Sequence, residues 1–193
     1  MPWYSKVLIP VSALWLAVLT VRHWLYDSGV LSSERSPIRS IVIGNLELGG
    51  TGKSQLTLFL INRLKDRYDL AVLSRGYGRK TEGYIEVKTD STAEQVGDEP
   101  LMLKKREPSV RVAVCEDRVI GANQIYQNHP DTDLIILDDA FQHRSLKPDM
   151  VVLTTDFNSP YFKNKLLPAG RLRDLKSRAR KADILLVTGC PRD

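Results

Sequence analysis

The chain is poor in the residues that mark several function classes. Only two cysteines, Cys115 and Cys190, occur in 193 residues, far apart and without metal-ligand spacing. That excludes a disulfide scaffold and a zinc module, and reads as two reduced cytosolic thiols. Internal repeats and low-complexity tracts are absent, so the chain reads as one α/β domain with an appendage, long enough to bury a full core. The formal charge of +5 points to an anionic partner. No aromatic-interleaved basic strand accompanies that charge, so nucleic acid is not expected.

A long membrane-spanning run is lacking too. The apolar stretch Val7 to Val21 carries no charge, yet as a helix it reaches only about 22 Å, against a hydrocarbon core of roughly 30 Å. No small-x-small cleavage site follows it, which argues against a secretory signal. What surrounds it is distinctive. Trp3, Trp15 and Trp24 are the only tryptophans, Tyr4 and Tyr26 lie beside the outer two, and Lys6 and Arg22-His23 mark the borders. Aromatic and basic residues at both ends of an apolar run are the pattern of an interfacial anchor. Residues 1–36 are therefore expected to form a membrane-associating helix and its link, and a helix packed on the domain is the competing expectation.

Ile41-Val42-Ile43-Gly44-Asn45-Leu46-Glu47-Leu48-Gly49-Gly50-Thr51-Gly52-Lys53-Ser54 is the most informative stretch. A β-branched strand runs into a glycine-rich turn, and Gly-Lys-Ser opens a helix expected over Lys53 to Lys65. Backbone N–H groups of Glu47 to Ser54 would curl around a polyphosphate, Lys53 would reach the β- and γ-phosphates, and Ser54 would ligate Mg²⁺. The helix adds its positive dipole end. Glu47 stands where the usual pattern has its first glycine. A carboxylate there would repel a triphosphate unless its side chain turns away.

Strand patterns fall near Ile38–Ile43, Leu70–Ser74, Tyr84–Lys88, Val110–Val114, Leu134–Leu137, Met150–Leu153 and Ile184–Val187. Helical patterns alternate with them near Lys53–Lys65, Pro100–Arg106, Asp117–Gln127 and Asp174–Lys181. The alternation predicts a P-loop-type, mainly parallel sheet flanked by helices over 37–193, with ligands at the carboxyl ends of the strands.

Several residues converge on the same chemistry. The strand Leu134 to Leu137 ends in Asp138-Asp139, the acids a P-loop protein needs for Mg²⁺, although Asp139 could merely cap the next turn. Asp98, before Glu99-Pro100, is a candidate base for a hydroxyl acceptor or a helix N-cap. Arg75 and Arg79, in Ser74-Arg75-Gly76-Tyr77-Gly78-Arg79-Lys80, could clamp phosphate or be solvated. Arg118 could reach nucleotide or pair with Glu116 and Asp117. His143 is a supporting candidate only. Six of the eleven residues from Arg171 to Lys181 are Lys or Arg, fit for a solvated face, anionic headgroups or a phosphorylated substrate.

These pieces, in this order, resemble the tetraacyldisaccharide 4'-kinase family. The matching segments are Gly44-Asn45-Leu46 with Gly49 to Ser54, Leu73 to Arg79, Gly97-Asp98-Glu99-Pro100 and Asp117-Arg118. Asp138-Asp139-Ala140-Phe141-Gln142-His143 and Leu167-Pro168-Ala169-Gly170-Arg171-Leu172-Arg173 follow. The resemblance implies ATP- and Mg²⁺-dependent phosphorylation of the 4'-hydroxyl of an acylated glucosamine disaccharide 1-phosphate, at the cytoplasmic face of the bacterial inner membrane. It implies Asp98 as catalytic carboxylate beside Lys53, Ser54 with Asp138 and Asp139 on the metal, and Arg75, Arg79, Arg118 and Arg173 on nucleotide or substrate phosphates. Family members usually place a small hydroxyl residue where Glu47 stands and Thr-Pro where Ser54-Gln55 stands. They also continue into a C-terminal portion that completes the cleft and that is expected to be missing here. A membrane-bound ATPase switch, and a shortened form with impaired catalysis, stay open as alternatives at this point. Leu48 stands where such switches carry an extra lysine.

Overall fold

The computed structural model describes residues 8–191. Its nine strands and five α-helices begin with α1 (Ile9–Asp27) and β1 (Glu34–Arg35), then β2 (Arg39–Gly44) and α2 (Lys53–Leu64). β3 (Leu70–Ser74), β4 (Ile85–Glu86), α3 (Ala93–Val96), α4 (Asp98–Arg106), β5 (Arg111–Val114) and α5 (Arg118–Asn128) follow. β6 (Leu134–Asp138), β7 (Leu146–Lys147), β8 (Met150–Asp156) and β9 (Ile184–Thr188) complete the series.

Seven strands form one sheet in the order β4-β5-β3-β6-β2-β8-β9, parallel except for the β4–β5 pair. The central strands are continuous apolar runs because both faces are covered. Every residue of β3 and of β6 is buried. One face packs on α2 and α4 through Ile61, Leu101 and Leu103, and the other on α5 through Ala122 and Ile125. β1 and β7 pair separately as a short parallel ribbon. Register brings the carboxyl ends level: Ile43 lies opposite Asp138, Gly44 opposite Leu153, and Leu73 opposite Leu137.

Two expectations need correction. The basic stretch Asp174–Lys181 is not an α-helix; only Lys176–Lys181 winds, as a 3-10 turn. Charges at nearly every other position leave it no apolar stripe to bury, and Ala179 and Ala182 alone anchor it to the core. The apolar run is also longer as a helix than as an uncharged segment, since α1 has 19 residues and continues through Arg22-His23 to Asp27.

α1 inverts the usual amphipathic arrangement. Its contacts to the domain are largely polar. Ser12 Oγ donates to the Leu166 carbonyl at 3.2 Å and accepts from the Ala169 N–H at 3.1 Å. His23 Nε2 meets Asp174 Oδ1 at 2.6 Å, and Arg22 donates to the Gln142 carbonyl at 2.9 Å. The outward surface is apolar, with Ile9, Val11, Leu14, Trp15, Leu16, Val18, Val21 and Trp24 exposed. Among the described residues α1 is the one helix long and apolar enough to cross a membrane by length and composition.

Candidate functional site

The turn after β2 is built to hold an anion. Gly52 is the N-cap of α2 with φ +79°, a left-handed conformation that a side chain resists, and it lets the chain turn sharply into the helix. A Cβ there would also come within 2.9 Å of Thr188 Cγ2 at the end of β9. Below the turn, Asn45 Nδ2 donates to Thr51 Oγ1 at 2.8 Å, and Thr51 shares a 2.7 Å hydrogen bond with Thr154 of β8. These buried bonds fix the loop, so the N–H groups at the start of α2 face the space in front of it already oriented.

A strap from the segment between β8 and β9 braces the same loop from outside. Glu47 bridges Leu172 in antiparallel fashion, Leu48 N donates to the Arg171 carbonyl at 2.8 Å, and Arg173 N donates to the Leu46 carbonyl at 2.8 Å. Arg171 returns two bonds to the Leu48 carbonyl, from Nε at 3.1 Å and Nη2 at 2.8 Å. Glu47 is buried, with its carboxylate accepting from Asn164 Nδ2. Burial pushes its carboxyl up, against the lowering influence of Asn164.

The acids at the end of β6 play different parts. Asp138 is buried and accepts from Thr57 of α2 at 3.1 Å. Burial, then the charges of Glu99 and Asp139, push its carboxyl up to about 6. Asp139 has φ +45° and receives both prongs of Arg173, Nη1 to Oδ2 at 3.1 Å and Nη2 to Oδ1 at 2.6 Å. Lys53 Nζ lies 3.8 Å from Asp139 Oδ1. Burial raises the Asp139 carboxyl, but Arg173 and then Lys53 outweigh it and hold it below the usual carboxylate range. Asp139 is thus an anchored anion rather than a turn cap.

Asp98 and Glu99 open α4 behind Gly97, where φ is +89° and an added Cβ would come within 3.0 Å of the Gly76 carbonyl carbon and the Tyr77 oxygen, so a side chain is resisted. Asp98 is exposed, and among the described residues its carboxylate caps no N–H, so the N-cap role is not the one it plays. Glu99 was not singled out by sequence. It accepts from Ser54 Oγ at 2.8 Å and, with Asp138, lines up acid against the hydroxyl of the P-loop helix. Its place in Gly97-Asp98-Glu99-Pro100, next to Asp98, was the available signal.

The cations sort differently. Arg118 is fully buried and donates to the carbonyls of Cys115 at 2.8 Å and Asp138 at 3.2 Å, so it secures the β6 end from behind. Arg79 is tied to Glu116 and to the Gly83 carbonyl at 2.6 Å. Arg173 is committed to Asp139 and Asn45. Arg75 is the exposed cation of the set. His143 is half-buried and neutral at pH 7, pushed down to about 4 by burial and then by Arg118. Arg171 and Asn45 were missed as site residues: Arg171 acts through pairing across more than a hundred residues, and the Asn45 side-chain bond to Thr51 has no periodicity to mark it.

The donor set suits a hard divalent ion. Ser54, Asp138 and Glu99 offer oxygen only, and the Asp138 carboxyl is raised by burial and then by the charges of Glu99 and Asp139, which Lys53 offsets only in part. Among the described residues no group of three or more His, Cys, Asp or Glu could hold a metal alone. Mg²⁺ normally keeps waters and phosphate oxygens as its remaining ligands.

Comparisons with known proteins bear on the family and the fold. The family profile of the tetraacyldisaccharide-1-P 4'-kinase family matches residues 4–193. A tetraacyldisaccharide 4'-kinase of Bacteroides thetaiotaomicron is 46% identical over 189 residues, covering 97% of this chain and 50% of that protein. The Cytophaga hutchinsonii protein of the same description is 42% identical over 186 residues, covering 96% and 53%. A crystal structure of LpxK from Aquifex aeolicus in complex with ATP superposes with a TM-score of 0.89 at 36% identity, covering 96% of this chain and 59% of that one. The chain spans about half the length of the curated relatives it matches.

Proposed function

The chain belongs to the tetraacyldisaccharide-1-P 4'-kinase family, and from that premise we propose that it transfers the γ-phosphoryl group of ATP to the 4'-hydroxyl of an acylated glucosamine disaccharide 1-phosphate. The observation that carries this reading is the opposition of the P-loop helix to three acids: Ser54 to Glu99, Thr57 to Asp138, and Lys53 to Asp139. Such an arrangement suits a triphosphate, and the exposed Asp98, next to Glu99 at the start of α4, is the carboxylate the reading assigns to the acceptor.

The N–H groups at the start of α2 and Lys53 bind the phosphates, and Asn45, Arg171 and the Thr51–Thr154 bond keep the loop from collapsing when they are engaged. A cavity of about 670 Å³ beside Gly50 and Gly52, lined by Leu56, Phe59, Leu186 and Thr188, offers room and apolar surface for the base. Asp98 accepts the proton of the acceptor hydroxyl as its oxygen attacks phosphorus, and ADP departs. Ser54, Asp138 and Glu99 would hold Mg²⁺, which when bound neutralises charge on the phosphate oxygens. Arg75, exposed and without an ion-pair partner among the described residues, is the cation for an acceptor phosphate. The exposed apolar face of α1 supports seating the domain on the cytoplasmic face of a bacterial inner membrane, where such an acceptor resides.

Incubation with labelled ATP and the disaccharide 1-phosphate tests the proposal. Label is expected in the lipid, with about 100-fold or greater loss on Asp98→Asn and retained ATP binding. Acceptor-independent ATP hydrolysis, or binding with no transfer, would overturn it.

A further inference from the structure

A second cavity lies away from the P-loop, between the C-terminal end of α1, the Lys176–Lys181 turn and the sheet. It measures about 600 Å³. Its floor is apolar, formed by Val42, Leu146 and Val151, and its rim carries Arg144, Lys147, Arg178 and Lys181. We propose that this cavity holds the phosphate of an anionic phospholipid headgroup, with Arg178 as its main donor.

Arg178 carries the argument. Its guanidinium sits 5.4 Å from the centre of the Phe141 ring, and no hydrogen-bond acceptor meets it among the described residues. Nε is buried. A guanidinium has five donors in a planar fork that fits phosphate oxygens, and leaving them unmet in a half-buried setting is costly. Burial and the neighbouring charge of Arg144 depress its pKa, a strain that an anion relieves.

Asp174 and Asp27 offset part of the Arg178 charge, but neither is within hydrogen-bond reach of its guanidinium among the described residues, and Asp174 is held by His23 at 2.6 Å. Asp27 is paired with Arg144 at 2.6 Å, Asp149 accepts from the Ser40 N–H at 2.8 Å, and Asp183 accepts from the Val151 N–H at 2.7 Å. Lys147 and Lys181 enter no ion pair among the described residues.

The position selects a lipid over free phosphate. Tyr26 of α1 lines the cavity, and Trp24, two residues before it, is 62% exposed on the apolar face. A bilayer that receives that face brings headgroup phosphates to the cavity rim, and the apolar floor accepts the glycerol end of an acyl chain. The nucleotide site uses neither Arg178 nor Lys181. The inference rests on the reading of α1 as a bilayer contact.

Vesicle co-sedimentation of the full chain separates the two readings. Phosphatidylcholine vesicles report the α1 contact alone, and vesicles doped with phosphatidylglycerol report the headgroup site. Arg178→Gln with Lys181→Gln is expected to weaken binding to the doped vesicles by about 10- to 30-fold. Binding to phosphatidylcholine and to MgATP stays unchanged, and Arg178→Lys with Lys181 intact retains part of the effect. Equal loss on Lys105→Gln with Arg106→Gln, exposed on α4 across the sheet, would reduce the effect to bulk charge and overturn the site. Replacing the phosphatidylglycerol by the disaccharide 1-phosphate identifies the source of the phosphate. A loss confined to those vesicles would assign the cavity to the acceptor and overturn the phospholipid assignment. Failure of wild type to bind phosphatidylcholine refutes the α1 reading instead.

Discussion

Glu47 and Asn164 are joined side chain to side chain across the base of the P-loop, with the Glu47 carboxylate turned inward and buried. The residue that looked incompatible with a triphosphate therefore faces the strap between β8 and β9. Its folded-state pKa is raised above the ordinary 4.5, chiefly by burial. The stability linked to this group is fully present below the unfolded value and is lost as pH rises through the folded value. Glu47→Gln keeps an acceptor for Asn164 and removes the charge. The variant is expected to unfold at a higher temperature than wild type at pH 7, with the difference vanishing below pH 4.5. Identical pH profiles for the two proteins would show that the carboxylate is not desolvated.

Arg173 supports Asp139 in a way that Lys cannot copy. Its two nitrogens take the two carboxylate oxygens, and Nη2 also reaches Asn45 Oδ1 at 2.5 Å, linking acid to P-loop base. Arg173→Lys keeps the charge and loses the fork. Phosphoryl transfer is expected to fall by about 10- to 100-fold with folding intact, as for other residues that orient a carboxylate next to a metal site. A titration of activity against Mg²⁺ checks it, and an unchanged curve would remove Arg173 from the machinery.

Much of this was legible from sequence, and what was not has physical causes. The strands Leu70–Ser74 and Leu134–Leu137 stood out because buried parallel strands are uninterrupted apolar runs. Lys53, Ser54, Asp138 and Asp139 stood out because a local turn and a strand end place them. The roles of Arg118, Arg79 and Arg173 did not, since a cation beside glycine or acid reads alike whether it faces ligand or protein. The strap Arg171–Arg173 is a tertiary pairing with Leu46–Leu48 and has no periodicity of its own. The short ribbon of β1 with β7 escaped for the same reason, having two residues per strand. The Asp174–Lys181 helix failed because charge count was read without an apolar stripe.

Asp138 ties nucleotide binding to pH. Its carboxyl stands at about 6 in the folded protein against an ordinary 3.8. The folded state therefore favours the neutral form, and stability held below pH 3.8 is lost as pH rises through 6. Asp138→Asn is expected to stabilise the metal-free protein at pH 8 by on the order of 2–3 kcal/mol, measured by urea unfolding. Proton and Mg²⁺ compete for the same oxygens. MgATP affinity should fall about tenfold per pH unit below 6 in wild type, and the slope should disappear in the variant. Isothermal titration at several pH values decides, and a flat wild-type profile would place the metal elsewhere.

The two sides of α1 make opposite predictions because they hold opposite chemistry. His23 and Asp174 are buried together at 5% and 1% exposure, and among the described residues Asp174 Oδ2 meets no donor. His23→Ala strands a buried carboxylate and is expected to cost about 3 kcal/mol and to speed amide exchange along α1. Acidification acts on the same contact. The His23 pKa lies below its usual 6.5, mainly through burial, so the docking it supports is present above that value and is lost as pH falls through the folded pKa. Leu14→Lys with Val18→Lys touches only the exposed face. Folding stability should stay within about 0.5 kcal/mol, and phosphatidylcholine vesicle binding should drop tenfold or more, because each apolar side chain is worth about 1.5–3 kcal/mol when buried. Rapid exchange in the lysine variant, or vesicle binding lost only in His23→Ala, would exchange the two faces and place the polar stripe against the membrane.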